Sequence, residues 1–256
     1  MFFVLSKDKI ISYIVSFGTV MILLGIAFAV RNKNELIEVA STSKSIPIYS
    51  VQTDENKVAL TINCAWNDDD IDKILEVLSQ NNVKVTFFVV GDWVDKYPEA
   101  VKKINQDGHE IGNHSNTHPH VNKLSYEQNL NEINECNNKL EKLIGKKANL
   151  YRGPYGEYND TVFKSAVDAE STMIQWDIDS LDYNNLTKEE MWKRMDNNLK
   201  NGSIILMHNG TKNTANSLDF LIKNIKNKGY ELVRVSDLIY QSDYYINSQG
   251  TQIKNK

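Results

Sequence analysis

Two hydrophobic patterns divide the chain. Residues 10–30 run 21 positions without a charge, and a membrane span needs ~20 apolar residues. From about residue 57 onward, short apolar runs alternate with helical faces. Val58-Ala59-Leu60-Thr61-Ile62 has strand length. Apolar residues at 71, 74, 75, 77 and 78 share one helical face, with Asp68 or Asp69 as N-cap. Residues 83–90 are β-branched and aromatic, as strands favour. Residues 93–104 read as a helix closed by Gly108, and 109–111 as a short strand. Ser125 with Gln128 forms a capping box for a helix to about residue 143. A strand at 150–152, a helix at 161–169 and a strand at 172–178 follow. Thr187 with Glu190 caps a helix to 199. The pattern ends with a strand at 203–207, a helix at 216–227 and a strand at 231–235.

Alternating strands and helices predict an α/β fold with a parallel sheet covered by helices. About seven such units predict a (β/α) barrel that is distorted or incomplete, because a full barrel has eight. Residues 32–56 are polar, carry Ser41-Thr42-Ser43-Lys44-Ser45 and Pro47, and read as a stalk or linker. The predicted organisation is an N-terminal membrane anchor or signal segment (1–31), a stalk (32–56), one globular domain (57–240) and a flexible tail (241–256).

Charge refines this picture. Lys7 and Lys9 precede the apolar run, and Arg31 and Lys33 follow it. With the terminal amine added, the bias favours an N-terminus inside and the domain outside the cytoplasm. Ala27-Phe28-Ala29 resembles a signal-peptidase site. The apolar run is nevertheless longer than the ~7–15 residues of a cleaved signal, so an uncleaved single-pass anchor is the preferred reading and a secreted protein the alternative. The chain has 256 residues, 41% of them hydrophobic, and a net charge of −4, which points to no nucleic-acid partner. Cys64 and Cys136 are too few for a disulfide framework and are either one bridge or two thiols.

The chemistry concentrates in residues 112–120, where three of the five histidines fall within seven residues. His114 and His118 are four apart. A helical turn brings such a pair to roughly 5–6 Å, so two imidazoles can converge on a metal ion. Pro119 restricts the pair to a single turn. Active sites of barrels lie at the C-terminal ends of strands, and the other candidates follow predicted strands too: Asn63 and Cys64, Arg152, Asp179 and Asp182, and His208.

With these residues in this order, the chain resembles the polysaccharide deacetylases of carbohydrate esterase family 4, the NodB-homology domain. The resemblance covers roughly residues 58–239. It is closest to the membrane-anchored type of spore-forming bacteria, which implies a sporulation setting. The family motif H-[ST]-x-x-H is met by His114-Ser115-Asn116-Thr117-His118. The resemblance implies that both histidines bind a metal, usually zinc, or another divalent cation such as cobalt. R-x-P-[FY]-G is met by Arg152-Gly153-Pro154-Tyr155-Gly156, implying that Arg152 orients the catalytic base and that the Tyr155 N–H holds the oxyanion. D-x-x-D-W appears as Asp179-Ser180-Leu181-Asp182-Tyr183. Asp182 would tune the catalytic histidine, and Tyr183 replaces the usual tryptophan. L-x-H is Leu206-Met207-His208, with His208 as general acid.

The first motif departs from the family. T-F-D-D-G reads Thr61-Ile62-Asn63-Cys64-Ala65 here. Asn63 stands in the base position, and an amide cannot take a proton from water. Cys64 stands in the position of the metal carboxylate. A thiolate can bind zinc, and a buried free cysteine can equally be a small hydrophobe. Asp68-Asp69-Asp70 could lend a carboxylate, although helix capping is the preferred role. Tyr151, Tyr155, Trp176 and Tyr183 could line a sugar groove or belong to the core. The expected function is a metal-dependent hydrolase that removes N-acetyl groups from a cell-wall N-acetylglucosamine polysaccharide, peptidoglycan or a chitin-like oligomer. The alternatives are a pseudoenzyme that binds envelope glycan and another metal-dependent amidase.

Overall fold

The computed structural model describes residues 45–255 together with Met21. Apart from Met21, the apolar run 10–30 and residues 32–44 of the expected stalk lie outside the described residues. Among those described, no helix is long and apolar enough to cross a membrane.

The strands are β1 (Ser50–Val51), β2 (Lys57–Cys64), β3 (Thr86–Val89), β4 (Glu110–Asn113), β5 (Leu150–Tyr151), β6 (Thr172–Met173), β7 (Ile178–Asp179), β8 (Ile204–His208), β9 (Glu231–Val233), β10 (Tyr244–Ile246) and β11 (Thr251–Lys254). The main sheet has eight strands in the order β6-β5-β4-β3-β2-β8-β7, with β9 alongside β2. Every pair in it is parallel, the expected consequence of helical crossovers. The sheet curls without closing. Its two ends, β6 and β7, are neighbours in sequence but not in the sheet.

That seam corrects two expectations. Residues 172–178 are not one strand, because Ile174 to Asp177 cross from one end of the sheet to the other. Residues 46–52 are not stalk, because they fill the seam. The Ile48 N–H donates to the Met173 carbonyl at 2.9 Å, the Gln175 N–H to the Ile48 carbonyl at 2.7 Å, and the Val51 N–H to the Gly202 carbonyl at 2.9 Å. Ile48 and Val51 are buried, so apolar burial and backbone pairing both hold this segment in place.

Strand β2 separates two environments by its period of two. Val58, Leu60, Ile62 and Cys64 join the core beneath the helices. Ala59 belongs to a second cluster with Phe88 and Ile204, and Thr61 and Asn63 hydrogen-bond with Arg152. The helices begin and end for local reasons. The capping boxes at Ser125 and Thr187 both form. The helix expected at 93–104 is two helices, Gly91–Lys96 and Pro98–Gln106, since Pro98 drives Tyr97 out of the helical region (φ −129°, ψ 56°). Asp70, not Asp68 or Asp69, precedes the helix Ile71–Gln80, and it makes no side-chain cap.

The C-terminal tail is ordered, contrary to expectation. Strands β10 and β11 pair antiparallel, and β11 pairs parallel with β1. Gln252 is fully buried, accepting from the Tyr240 N–H at 2.9 Å and donating to its carbonyl at 2.8 Å. Both cysteines are buried free thiols.

Candidate functional site

A cleft of about 540 Å³ opens at the C-terminal ends of β2, β4, β5, β7 and β8, lined in part by Asn63, His114, His118, Trp176, Asp179 and His208. Its volume falls within the ~300–1,000 Å³ of small-molecule sites.

The histidine pair is brought together, but not on a helical turn. His114 directly follows β4, and the loop beyond it carries two left-handed residues, Ser115 (φ 70°) and His118 (φ 58°). The two rings approach edge to face with centroids 5.0 Å apart. Glu132 on the helix Tyr126–Ile144 holds this loop. It accepts from the Ser115 hydroxyl at 2.5 Å, and from the Asn116 and Thr117 N–H groups at 2.9 and 2.8 Å. His114 Nδ1 lies 2.7 Å from the Arg152 carbonyl, which leaves Nε2 at the other side of the ring. Burial keeps His114 well below the usual histidine range, helped by its neighbour His118, and burial lowers His118 as well. Both are therefore neutral near pH 7, as imidazole metal ligands must be.

Arg152 is fully buried. Its guanidinium donates to Thr61 Oγ1 at 2.8 Å, Asn63 Oδ1 at 3.0 Å, the Gln175 carbonyl at 3.0 Å and the Ile174 carbonyl at 3.4 Å. It also lies 4.1 Å over the Phe88 ring. None of these partners is a carboxylate. Burial pushes its pKa down to about 9, which leaves it a cation at neutral pH.

The opposite wall is built around Asp182, which is fully buried. Oδ1 lies 2.9 Å from His208 Nδ1, while Oδ2 accepts from the His208 N–H and the Thr214 hydroxyl, both at 2.6 Å. His208 is flanked by Trp66 and Tyr183, with ring centroids at 5.5 and 5.3 Å. Asp179 accepts from the Leu181 N–H at 2.9 Å and the Tyr183 hydroxyl at 3.2 Å. Tyr155, at φ 59°, stands 60% exposed at the rim, stacked on His120 and edge-on to His118. Trp176 lines the floor, and it needs glycine at 156, where a Cβ would come within 2.9 Å of its ring. Tyr151 is core.

The Cys64 expectation requires correction. Asn63 faces the cleft, so Cys64 on the next position faces the helices, where it is fully buried. Burial, reinforced by the charge of Asp70, holds its thiol well above the usual range. Asp70 does not replace it. Its carboxylate accepts from the Gly210 N–H at 2.9 Å and is absent from the cleft lining. Among the described residues no group of three His, Cys, Asp or Glu side chains converges. The described residues therefore offer a metal two imidazoles and no third ligand of these types. As they stand, these residues do not fit a resident zinc ion bound through three protein ligands.

Three contributors are not named by any motif. Glu132 and Thr214 act through hydrogen bonds alone, whereas Thr61 opens the first motif and gains its role from the bond to Arg152. Trp66 follows the divergent first motif, and its only signal was an aromatic residue at a strand end.

The polysaccharide deacetylase family pattern matches residues 50–174. A Bacillus subtilis protein named YlxY, described as uncharacterized, is 37% identical over 75% of this chain and 60% of its own length. A peptidoglycan-N-acetylglucosamine deacetylase of Bacillus cereus is 32% identical over 75% of this chain and 92% of its own. The Bacillus subtilis peptidoglycan-N-acetylmuramic acid deacetylase PdaC is 33% identical, and this chain covers 44% of it. The chain thus spans less than two thirds of the length of two of these relatives. Among solved structures, a CE4 family pseudoenzyme from Bacillus anthracis superposes with a TM-score of 0.72 at 33% identity, covering 75% of this chain and 68% of the other. A mutant of that protein with restored enzymatic activity matches with the same score.

Proposed function

The chain belongs to the polysaccharide deacetylase family, whose members hydrolyse N-acetyl amide bonds, and from that premise we propose that it binds an N-acetylated peptidoglycan strand in this cleft as a catalytically impaired deacetylase. One observation carries the reading: the buried Arg152 guanidinium is hydrogen-bonded to the amide oxygen of Asn63, where the family's base carboxylate would be. The acid half of the chemistry is intact. His208, oriented by Asp182, can protonate a departing amine. Trp66 and Tyr183, 50% and 43% exposed, flank it with faces on which a sugar ring can stack. The base half is not intact, because Asn63 cannot accept the proton of an attacking water. Losing a general base typically costs ~10²–10⁴-fold. The peptidoglycan deacetylases among the relatives support the ligand class, and the pseudoenzyme relative supports the impairment. The charge-free run 10–30 supports a tether that presents the domain outside the cytoplasm, as in envelope proteins of spore-forming bacteria.

The test is acetate release from an N-acetylglucosamine oligomer by the full chain with zinc or cobalt supplied. The wild type should release little. Asn63→Asp should release at least ~10²-fold more, and adding His114→Ala should abolish the gain. Cys64→Asp alone would place a carboxylate in apolar core. It should cost about 3 kcal/mol whether or not zinc is supplied, read from urea unfolding midpoints. Brisk release by the wild type, or a silent Asn63→Asp variant that is folded, would sink the proposal.

A further inference from the structure

Asn63 is more than a missing base. A guanidinium has only N–H donors, so Arg152 fixes the orientation of the Asn63 amide. The oxygen must face Arg152, at 3.0 Å, and Nδ2 is the other end of the same planar group. Asn63 lines the cleft while being almost wholly buried, so the cleft receives its NH₂ group. A carboxylate here would present only acceptors. This chain presents donors at that place, in the cleft that His114, Trp66, His208 and Tyr183 also line.

A buried donor facing a cleft is complementary to an acceptor on the ligand. The acetamide of an N-acetyl sugar carries one strong neutral acceptor, its carbonyl oxygen. Resting on the glycan reading above, we infer that Asn63 Nδ2 donates a hydrogen bond to the acyl oxygen of a bound N-acetyl sugar. This makes position 63 the residue that selects acylated over unacylated glycan without any metal. The deacetylase site has in this way become an acetamide-reading site. Arg152 is its positioning residue, since turning the amide over would set two donors against each other. Asn63→Asp removes the donor and points a negative oxygen at the carbonyl. Asn63→Ala removes the donor alone.

The experiment is calorimetric titration of the full chain in chelator, comparing an N-acetylglucosamine tetramer with a β-1,4-glucose tetramer that lacks the acetamide. The wild type should prefer the acetylated tetramer by about tenfold, the scale of one well-placed neutral hydrogen bond. Asn63→Asp and Asn63→Ala should each lose that preference while retaining binding to the glucose tetramer. The side-chain amide resonance of Asn63 in the ¹⁵N-labelled wild type should shift on adding the acetylated tetramer and stay still with the glucose tetramer. This readout decides the matter even if a variant fails to fold. An unmoved resonance, or an Asn63→Asp protein that keeps the preference, overturns the inference and leaves the glycan reading standing. A wild type that binds neither tetramer overturns both.

Discussion

On the β7–β8 wall of the cleft, a buried carboxylate is satisfied by three donors: the His208 ring, the His208 backbone and the Thr214 hydroxyl. On the β2–β5 wall, a buried guanidinium is satisfied by two carbonyls, a hydroxyl and an amide oxygen. The first wall keeps a titratable partner for its ion. The second has kept the cation and replaced its expected anion with a neutral group of nearly the same shape. An isolated buried cation is expensive, yet every acceptor on this wall converges on it, and the Phe88 face adds a cation–π contact. Satisfying a buried charge with dipoles thus holds this wall together without a carboxylate at position 63. Shape and catalysis are separable here because they depend on different atoms of residue 63.

The strongest way to break the comparison is Arg152→Ala. Four acceptors would lose their donor and a large buried side chain would leave a cavity. A loss of about 4 kcal/mol is expected, read from urea unfolding midpoints. A loss below about 1 kcal/mol would mean that the β2–β5 network is ornamental and the two walls are not alike. Asn63→Asp sharpens the same contrast with a smaller effect. It should stabilise the fold by about 2 kcal/mol at pH 7, since hydrogen bonds between charged partners are worth ~1.5–3 kcal/mol. The sign is set by Arg152. A carboxylate beside a guanidinium has its folded-state pKa depressed, so the gain is fully present above the unfolded value of ~3.9 and is lost as pH falls from there through the depressed folded-state pKa. Unfolding curves for wild type and variant should diverge at pH 7, stay apart by a smaller margin at pH 3 and converge only near about pH 2. Equal stability at pH 7 would show that the wall no longer favours a carboxylate.

Much of this was legible in the chain. Alternating periodicities located the eight parallel strands apart from the split of 172–178, and strand-end positions located Arg152, Asp182 and the histidine pair. What escaped has physical reasons. Residues 174–177 look like strand because Ile174, Trp176 and Ile178 alternate, but the sheet does not close, so the backbone of Ile174 and Gln175 serves Arg152 and Ile48 instead. The tail looked polar and loose because Gln252 is a polar core residue, satisfied only by Tyr240, twelve positions away. Cys64 looked like a ligand because adjacent residues share a motif in sequence. On a strand, adjacent residues face opposite sides, and only the register of β2 decides which one meets the histidines.

The smallest effect tests whether the β7–β8 wall is as redundant as its three donors imply. Thr214→Val keeps the shape of the side chain and removes one donor from Asp182. The helix Thr214–Asn227 should stay in place because Asn213 separately donates to the Asn185 and Leu186 carbonyls at 3.1 and 2.9 Å. The expected loss is about 1 kcal/mol, since Asp182 retains both contacts to His208. In the Asn63→Asp background, acetate release should fall less than about tenfold, because the Asp182–His208 bond at 2.9 Å is untouched. Asp182→Asn in that background should lose at least ~10²-fold, the scale of a general acid left without its orienting charge. If Thr214→Val matched Asp182→Asn in activity, His208 would depend on the whole cluster of donors. The two walls would then be equally intolerant of a single lost hydrogen bond.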